Sequence, residues 1–155
     1  MLVLKALHIL SMFGAVTLLV GEAVFYARAI WRNDVPGLAA IHRLVGGRPV
    51  IGAALLGAGI VFGLLTALTG SFDFLAGWLI AAYVLVVALF ALNASPWVQR
   101  LPRLGAEAVD AEAGRRPPED VINAMIAIRT STMIVVGLNV ALFAAIILDM
   151  VLKPF

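Results

Sequence analysis

Residues 50–69 read VIGAALLGAGIVFGLLTALT, twenty residues without a charge. A helix of that length rises about 30 Å, the thickness of a bilayer's hydrocarbon core. The run is continuous rather than alternating, so it does not read as a strand of a membrane barrel. Three more apolar runs lie around it, at about 2–30, 74–92 and 118–152. Lipid offers no water to backbone groups, so each run is expected to be a helix. The reading is all-α: a four-helix transmembrane bundle, up-down-up-down, a single domain over 1–155. Connections at 31–49 and 93–117 join the spans.

Composition agrees with that reading. Of 155 residues, 63% are apolar and 13% are charged, and the mean hydropathy is +1.08. Disorder needs the opposite balance. A soluble globule of this length could not hide so much apolar surface. The absence of cysteine excludes disulfides, thiolate metal sites and a cysteine nucleophile. The apolar run after Lys5 is too long for a signal peptide's core and no small-residue cleavage site follows it, so a retained helix is expected.

Arginine sets the orientation. Arg28, Arg32, Arg43, Arg48, Arg100, Arg103, Arg115, Arg116 and Arg129 lie at or near the two long connections, and only Lys5 and Lys153 lie at the other side. Nine against two is a strong positive-inside signal, which places the connections in the cytoplasm and both termini outside. The net charge of +2 therefore belongs to the membrane boundary, and no nucleic-acid motif accompanies it. The arginine- and alanine-rich usage suggests a multi-pass protein of a bacterial cytoplasmic (inner) membrane.

The second connection has internal signals. Ser95-Pro96-Trp97 ends the third span, and Trp97, Leu101 and Leu104 suit a short interfacial segment. Residues 106–114 carry Glu107, Asp110 and Glu112 and read as solvated. Pro117-Pro118-Glu119-Asp120 starts the last helix, with prolines in its first turn and acids at its positive end. From there to Leu152 is about 52 Å, so this helix should project into the cytoplasm or tilt.

Gly59, Gly63 and Ala67 recur every fourth residue, a spacing that lets helix backbones approach closely. Within the bundle it means tight packing, and between copies it would make a homodimer seam. Ionisable groups inside a membrane are costly, which makes them functional candidates. His8 lies near the outer end of helix one, where it could ligate haem or metal or hydrogen-bond at the interface. Glu22 shares a stripe with His8, Ser11 and Ala15, and could pair with Arg129 or carry protons or substrate. Asp149, near the outer end of the last helix, could meet Lys5 or His8. Asn139 could hydrogen-bond across the bundle. Met1, Met150 and His8 would offer soft ligands to Cu(I). His42 reads as solvated, one membrane thickness from His8, and Trp78 and Tyr83 as core or belt residues.

The opening Leu4-Lys5-Ala6-Leu7-His8-Ile9-Leu10 resembles helix one of two membrane families, the copper-resistance D group and the membrane haem-b protoporphyrinogen oxidase group. Both share its K-A-x-H pattern. The run from His8 through Thr69-Gly70 and Trp78 more closely resembles a bacterial family of predicted integral membrane proteins of unknown function. The resemblance covers about the first 95 residues. It implies that His8 stands where the oxidase family has a haem ligand. The oxidase pattern also has a lysine after a Trp-Leu pair and a histidine near the end of helix three. Here Trp78-Leu79 is followed by no lysine, and Asn93 stands near the histidine's place. Both departures argue against protoporphyrinogen oxidation.

Three function classes stay open from the residues. One is an accessory or structural membrane subunit, in a homo-oligomer or a larger complex. Another is a redox protein holding haem b or quinone through His8. The third is a small transporter or metal-handling protein using His8, Glu22 and Asp149.

Overall fold

The computed structural model describes residues 2–45, 49–70 and 73–152. They form six helices: α1 Leu2–Arg32, α2 Val35–Val45, α3 Pro49–Thr69, α4 Gly77–Asn93, α5 Pro96–Glu112 and α6 Pro118–Leu152. Among the described residues there is no strand.

Local chemistry explains the breaks. α1 stops where Asn33 takes a left-handed φ of 53°, a conformation asparagine tolerates better than most residues. Asp34 then caps α2, its Oδ1 accepting from the Gly37 N–H at 2.8 Å. Ser95 is extended (φ −65°, ψ 148°) and Pro96 opens α5. Gly114, at φ 70°, closes α5 in a Schellman pattern. There Arg115 N–H donates to the Asp110 carbonyl at 2.9 Å and Gly114 N–H to Ala111 at 3.0 Å. α6 carries Glu119 and Asp120 in its first turn.

α1, α3 from Ile51 onward and α6 are each long and apolar enough to cross a membrane, and α4 reaches that standard together with α5 across a 43° bend. Three to four candidate spans mark a multi-pass membrane protein. α3 lies along α1. α1 and α4 both pack on α6. Among the described residues α3 and α4 make no substantial contact, although only residues 70–76 join them. The spans are therefore not closed into a ring. α1, α4 and α6 cluster around Leu89, Phe143 and Ile146, with Val16, Leu19, Val20 and Leu85 against them, and α3 flanks α1.

The larger core lies elsewhere. Tyr26, Ile30, Val35, Leu38, Ala39, Leu101, Leu104, Ala108, Val121 and Met125 form one buried cluster. It is built from α2, α5, the end of α1 and the start of α6. The connections expected at 31–49 and 93–117 are thus largely helical and make a packed cap. Residues 106–114 are not simply solvated, since Ala108 and Ala111 are buried. The acids that suggested solvation face outward to arginines: Glu112 to Arg43, Asp110 to Arg115 and Glu107 to Arg116 at 3.0 Å. In α5, Leu101, Leu104, Gly105 and Ala108 repeat at three and four, which puts one narrow stripe against α2 and α6.

Candidate functional site

Close approach of α1 and α3 is the first feature of the membrane half. A Cβ on Gly52 would meet Leu19 Cδ2 at 2.9 Å, on Gly59 would meet Met12 Sδ at 2.6 Å, and on Gly63 would meet the His8 ring at 3.0 Å. The three pairs share one antiparallel register: each step along α1 is matched by a step back along α3. Ala67 is buried as well. The spaced glycines of α3 thus receive side chains of α1 within the same chain.

His8 is fixed by this packing. Its Nδ1 lies 2.7 Å from the carbonyl oxygen of Gly59. A carbonyl only accepts, so Nδ1 carries the proton and a neutral ring keeps its lone pair on Nε2. Ser11 and Ala15, further along the same stripe, are buried.

Continued three residues past Leu19, the same register sets Glu22 opposite Pro49, at the start of α3. Glu22 is half-buried and lines an open groove of about 290 Å³ with Leu18, Leu19, Leu44, Val45, Ile51 and Gly52. Among the described residues it has no ion pair. Arg129 is not its partner. That guanidinium donates from Nη2 to Asn33 Oδ1 at 2.7 Å and stacks 5.4 Å from the Trp31 ring centroid. It ties α6 to the end of α1, ten residues or about 15 Å beyond Glu22 along that helix. Arg129 Nε is buried without a partner among the described residues.

Asn139 is buried and donates from Nδ2 to Asn93 Oδ1 at 3.1 Å, while Asn93 Nδ2 donates to the Leu89 carbonyl at 2.8 Å. This amide pair joins α4 to α6, and Asn139 Oδ1 is left unpartnered among the described residues. Asp149 Oδ2 is likewise buried without a described partner. Neither Lys5 nor His8 reaches Asp149 in a hydrogen bond or ion pair among the described residues. Met1 of the soft-ligand trio lies outside them. No group of three or more His, Asp or Glu side chains converges as a metal site among the described residues.

His42 is placed differently from the solvated reading. It is half-buried in the cap, its Nδ1 3.2 Å from the hydroxyl of the buried Tyr26. It also lies flush on α5, where a Cβ on Gly105 would meet His42 Nδ1 at 2.7 Å. Tyr26 escaped notice in the sequence because it is one apolar-looking residue of a long apolar helix. The signal that could have found the pair is Gly105 inside the amphipathic stripe of α5, a gap that must be filled from a facing helix.

His8 and Glu22 are 14 residues apart on one helix, about 21 Å, and Asp149 is bonded to neither among the described residues. The structure therefore holds separate polar places rather than one converged site: His8 on α3, Glu22 in its groove, the Asn93–Asn139 pair, and Tyr26–His42 in the cap. No protein-family model, curated protein or solved structure matches the chain.

Proposed function

We propose that this is a four-span protein of a bacterial cytoplasmic membrane that serves as an accessory or structural membrane subunit. α1, α3, α4 and α6 cross up-down-up-down, the termini lie outside, and the α2–α5 cap faces the cytoplasm. The arginines of the cap and its borders support that orientation. The open arrangement of the spans carries the subunit reading. α1 is the one span on which α3 packs extensively among the described residues, and α4 leaves Tyr83, Val84 and Val87 exposed on one face. Those faces suit helices of a second copy or of a larger complex.

The chain has no cysteine, so single cysteines report cleanly. A cysteine at Ala113 should react with an impermeant maleimide only after the membrane is opened, and one at Asp73 should react from outside. The reverse pattern refutes the orientation. A photo-crosslinker at Val61 or Val87 should give one discrete protein adduct in native membranes. Lipid adducts alone refute the subunit reading.

A second reading is favoured by His8. Histidines that ligate metals usually donate the other ring N–H to a carbonyl or carboxylate, and the Gly59 carbonyl occupies that role here. His8 would hold a haem b through Nε2, and the same lone pair would accept a hydrogen bond from the hydroxyl of a reduced quinone. A bound haem would supply one-electron transfer at the outer end of α1. The test is a reduced-minus-oxidised visible spectrum of protein grown with haem available, beside His8→Ala. An α-band lost in the variant supports the reading, and a featureless spectrum from folded protein removes haem.

A further inference from the structure

Glu22 is an ionisable group facing an apolar groove. Leu18 and Leu19 of α1, Leu44 and Val45 of α2, and Ile51 and Gly52 of α3 form the walls. The groove is large, about 290 Å³, and open to the side. Its depth is set by the α1–α3 register, which puts Glu22 level with the first turn of α3. That is the end of the 19-residue apolar span Ile51–Thr69, where headgroups begin. Apolar walls on the membrane side and a carboxylate at headgroup level describe the two halves of an amphiphile. The charge selects its head. A carboxylate without an ion pair among the described residues attracts a cation, and a primary ammonium adds three hydrogen-bond donors that a quaternary ammonium lacks. Burial in the groove strengthens that contact relative to water.

We propose that the Glu22 groove is a binding site for a phospholipid with a primary-ammonium head, the ammonium resting on the Glu22 carboxylate and an acyl chain running along Leu18 and Ile51. The site lies on the α1–α3 pair, away from His8 and from the Asn93–Asn139 seam. A Cβ on Gly52 would meet Leu19 Cδ2 at 2.9 Å, so this wall of the groove sits directly on the glycine.

The test is native mass spectrometry of the full chain in detergent, titrated with phosphatidylethanolamine, phosphatidylcholine and phosphatidylglycerol of identical acyl chains. The wild type should keep one phosphatidylethanolamine about fivefold more than either competitor. Glu22→Gln should abolish that preference. Ile51→Trp, which fills the groove from the opposite wall and keeps the carboxylate, should lower binding of phosphatidylethanolamine at least fivefold. This second variant keeps the test open if Glu22→Gln does not fold. No preference in the wild type, or a preference surviving both variants, overturns the proposal. Glycerophosphoethanolamine, the head without chains, should not displace the lipid at equal concentration. Displacement by it would mean a site for a free amine and would also overturn the assignment.

Discussion

Replacing Gly63 by alanine sets two effects against each other. Alanine favours a helix over glycine by about 1 kcal/mol. The new methyl would lie 3.0 Å from Cε1 and Nδ1 of His8, closer than a Cβ normally approaches. An aromatic ring cannot fold out of the way as a methionine can. It must tilt, and tilting breaks its 2.7 Å bond to the Gly59 carbonyl. Losing that bond and leaving a half-buried N–H unpaired costs about 1–3 kcal/mol. The net expectation is a destabilisation of up to about 2 kcal/mol. Gly57 is the control on the same helix, because a Cβ there meets nothing within 4 Å. Gly57→Ala should keep the propensity gain and stabilise by about 0.5–1 kcal/mol. The assay is reversible unfolding in mixed micelles of rising SDS fraction, read by circular dichroism. A double-mutant cycle completes it. In a His8→Ala background the ring is gone, and Gly63→Ala should become neutral or stabilising, a coupling of about 2 kcal/mol. If Gly63→Ala matches Gly57→Ala, or if its cost survives in His8→Ala, the account of His8 docked on α3 is wrong.

Other perturbations separate the remaining contacts. Gly105→Ala would drive a methyl into His42, whose Cβ lies 2.9 Å from the new atom and cannot move without α2. The cap should loosen by about 1–3 kcal/mol, and tryptic cleavage at Arg103 should rise about tenfold for each 1.4 kcal/mol if opening is fast. Tyr26→Phe, which removes only the hydroxyl, should cost about 1 kcal/mol in the same proteolysis assay. Asn93→Ala strands the buried Asn139 amide and should cost about 1–3 kcal/mol, whereas Asn93→Leu with Asn139→Leu should lie near neutral in SDS unfolding. Equal losses in the two would refute the seam. Arg43→Gln removes an ion pair whose arginine is more than half exposed, so a stability change above about 0.5 kcal/mol would be unexpected.

Legibility differed between the two halves of the molecule for a physical reason. In the membrane half, the lipid itself imposes the pattern: a run of uncharged residues long enough to cross can only be helical. The small-residue spacing of α3 was therefore visible at Gly59 and Gly63, but spacing alone could not say whether α1 or a second chain fills the gap. In the cap, the signal is a stripe of alanine, glycine and leucine diluted by acids. Glu107, Asp110 and Glu112 made residues 106–114 look solvated. Their charges are exposed, and the alanines between them are not. The polar residues were legible as candidates, and their partners were not. Arg129 was within plausible reach of Glu22 by helix length, yet it sits at the end of α1 on Asn33 and Trp31. Asn139 was expected to bridge the bundle, and only the fold names Asn93 as the other amide.

By itself, the sequence determined that the protein is helical and built around long apolar spans, because backbone polarity and bilayer thickness leave no other solution for uninterrupted apolar runs of this length. It also marked the break at Ser95-Pro96 and the start of the last helix at Pro117-Pro118, because a proline's effect on a helix is local chemistry. The tertiary structure alone decided the open order of the spans, the packed cap and the company of each polar group. Those depend on contacts between residues far apart in the chain. His8 on Gly59, His42 on Tyr26, and Glu22 facing a groove between three helices are set by helix register, which no single stretch of sequence contains.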